Sequence, residues 1–237
     1  MTTDQERSGD TAVSVWRVGL AVDERSTIAL REHLAAEEVE RLERLGDSDI
    51  GRRWLVSRAA LREILAAELR VPPASVRLLV GDHGRPRLDP DAHPADLDFN
   101  LSHSGELALV AVAREGTRVG VDVERLRPGR NPLRVADRYF SPAEVQAVKA
   151  VAPDAQPHEF LRYWTAKEAL AKGLGLGLKA PRGELELAQG TDGSLTPVSA
   201  DGWCLAEIAE LPSGYFGSLA LEGEVAGIGM QEWVPEE

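Results

Sequence analysis

The spacing of apolar residues changes several times along this chain. Val13 to Leu20 reads as a short strand, with Val13, Val15 and Val18 facing a core. From Thr27 to Leu45 the spacing becomes helical and heavily charged, which predicts one or two amphipathic helices. A second helical stretch runs from Asp49 to Arg70 and repeats Trp54, Leu55, Leu61, Ile64, Leu65 and Leu69 at helical spacing. The step Val71-Pro72-Pro73 ends it, because proline disfavours helical geometry in the residue before it. Strands then dominate: Val76–Val80, a turn-rich stretch to Pro86, and Asp98–Leu101 running into the loop Ser102-His103-Ser104-Gly105. Leu107–Ala113 and Arg118–Glu124 follow, with Arg114-Glu115-Gly116-Thr117 between them read as a hairpin loop.

Helical signals return at Ser141-Pro142-Ala143-Glu144. Serine can cap, proline suits the first helical position, and the glutamate three residues on completes a capping box. That helix is expected to reach Val151. After a break at Ala152–Pro157 another spans His158 to Lys172, ended by Gly173, Gly175 and Gly177. Short strands follow from Gly183. The predicted fold class is α+β: two similar halves, 12–115 and 116–228, each with helices and a mainly antiparallel sheet. Residues 1–11 and 229–237 are expected to be flexible termini. No sequence repeat proves a duplication, though the element pattern permits one.

Charge narrows the functional classes. A formal net charge of −12 argues against general nucleic-acid binding, yet leaves room for a small anion held by a local basic cluster. Cys204, the single cysteine, excludes an intramolecular disulfide, and no Cys/His spacing resembles a zinc site. The start MTTDQERSGD lacks a basic segment followed by an apolar one, and no apolar run approaches the roughly 18 residues of a membrane span. A soluble, cytoplasmic protein is expected.

Three segments carry candidate chemistry. In Val119-Gly120-Val121-Asp122-Val123-Glu124 the valines share one face of a strand, so Asp122 and Glu124 share the other. Two carboxylates held together on an apolar strand suit a hard divalent cation. The same spacing is also common on an ordinary solvent-facing strand edge. In Tyr163–Lys172, Glu168 and Lys172 lie four apart on one helix face, a surface ion pair or a ligand beside a phosphate contact. In Phe99–Gly105, His103 stands between two serines and could meet phosphate or simply be hydrogen-bonded into a loop. A Ser/His nucleophilic pair is disfavoured, since adjacent strand residues point apart. Basic residues gather at Arg52, Arg53, Arg58 and Arg62, and again at Arg85 and Arg87.

In this order, Gly84-Arg85-Pro86, Phe99-Asn100-Leu101-Ser102-His103-Ser104, Gly120-Val121-Asp122-Val123-Glu124 and Trp164-Thr165-Ala166-Lys167-Glu168-Ala169-Leu170-Ala171-Lys172 resemble the Sfp-type 4′-phosphopantetheinyl transferases. Arg138–Glu144 resembles the family's link between the last two motifs. The resemblance spans roughly residues 13–225. It implies a pseudo-dimer of two α+β halves with coenzyme A in the cleft between them. It implies transfer of phosphopantetheine from coenzyme A to a serine of an apo acyl- or peptidyl-carrier protein, releasing 3′,5′-ADP.

By motif position, Asp122, Glu124 and Glu168 resemble a magnesium-binding triad, with Glu168 also a candidate base for the carrier serine. Lys172 resembles the lysine that meets phosphate and assists the leaving group. Arg58, Arg85, Ser102 and His103 match positions that contact coenzyme A, His103 at the 3′-phosphate; Arg85 stands where many relatives carry lysine. Lys167 is expected to support its neighbours. Because both halves are in one chain, a monomer is expected. Two other readings stay open: a magnesium-dependent hydrolase of a coenzyme A-like pyrophosphate, and a non-catalytic carrier-binding module. The basic stretch with Arg125, Arg127, Arg130, Arg134 and Arg138, together with the glycine-rich loop after Lys172, is expected to meet the carrier.

Overall fold

The computed structural model describes residues 13–81, 84–127, 129, 131–176, 185–223 and 227–235. The expectations placed on residues 1–11, Gly177 and Arg130 lie outside them. In chain order the elements begin with strand β1 (Val13–Gly19) and helices α1 (Glu24–Leu30), α2 (Ala36–Leu45) and α3 (Asp49–Leu69). Strands β2 (Leu78–Val80), β3 (Pro86–Leu88), β4 (Leu97–Ser104), β5 (Leu107–Arg114) and β6 (Val119–Arg125) follow. Helices α4 (Pro132–Tyr139), α5 (Pro142–Ala150) and α6 (Gln156–Leu174) come next. The chain continues through β7 (Leu187–Gln189), β8 (Leu195–Pro197), β9 (Trp203–Glu207), β10 (Tyr215–Glu222) and β11 (Ile228–Trp233). The fold class is α+β, as the sequence pattern predicts.

Two sheets make the middle of the molecule, one in the order β11-β1-β5-β4 and the other β6-β10-β9. The run Leu107–Ala113 is apolar at every position because β5 is covered on both sides. Ala108, Val110 and Val112 pack under α3 with Leu61, Ile64 and Leu65. Leu109, Ala111 and Ala113 meet Val119, Val121, Leu219 and Leu221 of the other sheet. The outer face of that second sheet packs against α6 through Ala166, Ala169, Leu170 and Ala220. The layers are therefore helix, sheet, sheet, helix, each sheet burying one face against its own long helix.

Three local expectations change. Arg114–Thr117 joins β5 to β6 without making a hairpin, because the two strands belong to different sheets. Ser102-His103-Ser104 is not a loop; β4 runs through Ser104, paired with β5 as far as Leu107. The tail expected to be flexible from residue 229 forms β11, parallel to β1 from Val13↔Ile228 to Val18↔Trp233. Trp233 holds it there, buried in the α3 core with its indole N–H donating to Glu63 Oε2 at 2.7 Å. Acidic flanks and two interrupting glycines hide this strand's alternation in the sequence.

The capping box behaves as the sequence predicts. Ser141 N–H donates to Glu144 Oε2 at 2.7 Å, and Ser141 Oγ accepts from Glu144 N–H at 3.4 Å. Gly120 is required for a different reason. A Cβ there would lie 2.0 Å from the Ala169 carbonyl, so α6 rests directly on the backbone of β6.

Candidate active site

The site forms where the sheets meet edge to face. β4 and β6 are both edge strands, and β6 presents backbone groups with no neighbouring strand to pair them. On β4 the alternation Asp98, Asn100, Ser102, Ser104 puts four polar side chains on one face, while Phe99 and Leu101 pack under α3. Those four side chains accept from the N–H groups of β6 in register: Val119 to Asp98 at 2.9 Å, Val121 to Asn100 at 2.9 Å, Val123 to Ser102 at 3.4 Å and Arg125 to Ser104 at 3.1 Å. The edge of one sheet is thus satisfied by side chains of the other, and no strand pairing is needed.

Ser102 and Ser104 also donate. Ser102 Oγ reaches Asp122 Oδ1 at 2.7 Å, and Ser104 Oγ reaches Glu124 Oε2 at 2.7 Å. Lys172 closes the cluster from α6: its ammonium donates to Asp122 Oδ1 at 2.6 Å, Ser102 Oγ at 2.8 Å and the Val121 carbonyl at 3.1 Å. Glu168 lies one turn earlier and is buried. It sits between Thr165, whose hydroxyl meets Ser218 at 2.9 Å, and Ala169, whose carbonyl abuts Gly120. The structure therefore gathers Ser102, Asp122, Glu124 and Lys172 at one seam, with Glu168 on the overlying helix.

The electrostatics are mixed. Burial pushes the Glu124 carboxyl up, the Ser104 hydrogen bond opposes this, and the neighbouring Asp122 charge pushes it further up. His103 is the penultimate residue of β4, on the opposite face from Ser102 and exposed. Desolvation, then the cations of Lys172 and Arg53, hold its imidazole below the ordinary value of 6.5, with Asp122 pulling the other way.

The donor chemistry suits magnesium. Carboxylate oxygens are its preferred ligands, and Asp122 Oδ2 is buried with no hydrogen-bond partner among the described residues. Among those residues no three His, Cys, Asp or Glu side chains converge as a finished ligand set. Lys172 serves as the counterion of Asp122 instead.

Of the two arginines expected to contact coenzyme A, the structure brings Arg85 to the seam and not Arg58. Arg85 turns inward: its guanidinium donates to Asp98 Oδ2 at 2.7 Å, to the carbonyls of Val119 at 2.8 Å and Phe99 at 3.1 Å, and to those of Lys172 and Gly173. Arg58 lies 2.8 Å from Glu38 of α2, and Glu38 also pairs with the fully buried Arg62. No described contact joins Arg58 to the seam. Lys167 is fully buried and donates to both oxygens of Glu144, each at 2.7 Å, and to the Leu185 carbonyl at 2.6 Å. It thereby binds α6 to α5 and to the segment leading into β7. Sequence reasoning missed Asp98, Asn100 and Ser104 as members of the seam. Their signal was the polar–apolar alternation of Asp98–Ser104, readable once that stretch is taken as a strand.

Beside Glu124 a groove of about 140 Å³ opens between α4 and α6. Val135, Phe160 and Trp164 help line it, and Arg125 and Arg127 stand at its rim.

A buried aspartate and a half-buried glutamate on an edge strand, with a lysine and two serine hydroxyls facing them, belong to the class of α+β enzymes that handle phosphate esters. The comparisons with known proteins are specific. A family model described as the N-terminal part of 4′-phosphopantetheinyl transferases matches residues 23–115. A second, for the 4′-phosphopantetheinyl transferase superfamily, matches residues 118–209. The 4′-phosphopantetheinyl transferase HetI of Nostoc sp. is 34% identical over 202 residues, covering 83% of this chain and 82% of that protein. A 4′-phosphopantetheinyl transferase of Bacillus subtilis is 30% identical over 171 residues, covering 71% and 72%. A solved holo-(acyl-carrier-protein) synthase from Bacillus anthracis, in complex with CoA (3′,5′-ADP), aligns with 45% of this chain and 96% of its own at 15% identity and a TM-score of 0.39, a likeness too distant to argue from. The chain belongs to the 4′-phosphopantetheinyl transferase family.

Proposed function

We propose that this enzyme transfers the 4′-phosphopantetheine group of coenzyme A to a serine of an apo carrier protein. The serine oxygen attacks the phosphorus that bears pantetheine, the pyrophosphate P–O bond breaks, 3′,5′-ADP leaves, and the serine proton passes to a base. The observation that carries this reading is the meeting of Lys172, Ser102 and Asp122 at the seam between the sheets. A lysine ammonium there stabilises negative charge on the departing phosphate. In this reading the hydroxyl of Ser102 would meet a coenzyme A phosphate from the seam, and the imidazole of His103, on the other face of β4, would meet the 3′-phosphate. Glu168 is the candidate base for the carrier serine.

Asp122, Glu124 and Glu168 would hold magnesium, which supplies charge neutralisation at the pyrophosphate when bound. The unpartnered Asp122 Oδ2 supports this. The meeting of the two family models between residues 115 and 118 supports a division into halves 12–115 and 116–228, with β11 crossing from the second back to the first. Both halves in one chain fit a monomer. Among the described residues no helix is long and apolar enough to cross a membrane, and we place the enzyme in the cytoplasm.

The direct test is the intact mass of an apo carrier protein incubated with this protein, coenzyme A and magnesium. A gain of one phosphopantetheine group, lost in Asp122→Ala and Glu168→Gln, is the expected result. Release of 3′,5′-ADP without a modified carrier would assign hydrolysis instead.

A further inference from the structure

We infer that Arg85 is a positioning residue for Lys172: its guanidinium fixes the last turn of α6 against the outer edge of β6, setting where the Lys172 ammonium lies. The inference rests on the transferase reading above and replaces a direct role for Arg85 in binding coenzyme A.

The edge of β6 shows how. Its outward N–H groups are taken by β4 side chains, and two of its outward carbonyls are taken by cations in succession. Val119 O accepts from Arg85 at 2.8 Å, and Val121 O accepts from Lys172 at 3.1 Å. The two side chains are adjacent rungs on one edge. Arg85 is also bonded to the backbone of Lys172 itself, because one terminal nitrogen donates to the Lys172 and Gly173 carbonyls. Carbonyls in the last turn of a helix have no partner within it; Lys172 O accepts from the cap residue Gly175 at 3.1 Å, and the Arg85 cation adds a second donor there and meets the negative end of the helix dipole. The other terminal nitrogen donates to Asp98 Oδ2, Phe99 O and Val119 O. One planar fork therefore holds β4, β6 and α6 together, and it points its terminal nitrogens at protein oxygens.

The packing beneath it is as tight as backbone allows. Gly120 and Gly173 face each other across β6 and α6, and a Cβ on Gly120 would lie 2.4 Å from Gly173 N. With the helix lying this close, a small shift of its last turn moves Lys172 relative to Asp122 and Ser102. Lysine at position 85 would retain the charge but lose the fork, and could not serve both groups of acceptors at once.

The test is a double-mutant cycle of Arg85→Lys with Lys172→Ala, with carrier modification and 3′,5′-ADP binding both measured. The expected result is a fall in kcat of about tenfold for Arg85→Lys alone, with the nucleotide Kd changed less than about twofold. In the Lys172→Ala background the same substitution should change kcat by less than about twofold, since its effect passes through the lysine. Asp98→Asn, which keeps the guanidinium but removes its charged partner, should show the same non-additivity at smaller size. Should Arg85→Lys not fold, this variant decides the matter. Additive losses in the cycle would mean a general structural role and overturn the inference. A weakened nucleotide Kd with kcat preserved would make Arg85 a ligand of coenzyme A and overturn it too. Failure of the wild-type protein to modify any carrier would remove the transferase reading first, and the inference with it.

Discussion

Lys172 Nζ lies 2.6 Å from Asp122 Oδ1, while Asp122 Oδ2 is buried with no hydrogen-bond partner among the described residues. One oxygen of the carboxylate is thus neutralised from within the chain, and under the proposed function the other would meet magnesium. Lysine and metal compete for the same negative charge. Lys172→Ala should tighten Mn²⁺ binding to the nucleotide-free protein about threefold. It should at the same time lower kcat roughly 100-fold, through loss of charge stabilisation at the leaving phosphate. Calorimetric titration with Mn²⁺, beside turnover, checks both directions; weaker metal binding would make Lys172 a support of the metal site and not its competitor.

Under the proposed function, His103 would tie nucleotide binding to pH. Its free-state value sits below 6.5, held down first by desolvation and then by Lys172 and Arg53. Without ligand, the unfolded chain takes up this proton first, so stability falls as pH drops below 6.5 toward the folded value and is level above it. A bound phosphate raises the folded value, so the complex holds more protons and affinity rises as pH falls through the same window. The phosphate titrates here as well, and the ratio of wild-type to His103→Gln affinity for 3′,5′-ADP cancels that contribution. That ratio should climb on acidification. A flat ratio from neutral to mildly acid pH would remove His103 from the phosphate contacts.

The ion pair of Lys167 with Glu144 is fully buried. Burial pushes the Lys167 ammonium down from its ordinary value, and the Glu144 hydrogen bond restrains the fall. Lys167→Met should cost about 3–5 kcal/mol in urea unfolding, because it leaves a buried carboxylate without its cation. Glu144 keeps the N–H groups of Ser141 and Leu187, at 2.7 and 2.8 Å, which sets the loss toward the lower end.

The groove beside Glu124 joins apolar lining to the exposed Arg127, and α4, which forms one side of it, carries the exposed Arg134. An acidic, amphipathic carrier helix would complement it. Arg127→Glu with Arg134→Glu should raise the carrier KM about tenfold and flatten its salt dependence, leaving the coenzyme A KM unchanged. Steady-state kinetics at two ionic strengths decide it, and an unaltered carrier KM would place docking elsewhere.

Much of this was legible in the sequence, where the signal is local. The capping box at Ser141 and Glu144 follows from cap chemistry, and the face-sharing of Asp122 and Glu124 and the helix bearing Glu168 and Lys172 follow from periods of two and 3.6. The strand boundary at Leu101 was misread because Ser-His-Ser-Gly looks like turn chemistry; β5 alongside overrides that preference. Arg85 and Lys167 were harder still. What each does depends on acceptors far away in the chain: Lys172 and Val119 for the arginine, Glu144 and Leu185 for the lysine. A positive charge in a motif shows that an anion or a carbonyl is near, not which.

β11 has a bearing on how the molecule comes into being. β1 leaves the ribosome before the other described elements, yet one of its two neighbours is made only at residues 228–233. Until then the sheet that carries Ser102 has an open edge, and the α3 core lacks Trp233. Damage to the last strand would therefore be felt in the half built earliest, far along the chain from the break. The sheet on the β6 side of the seam is complete once Glu222 is made, whereas the sheet on the β4 side waits for residues 228–233.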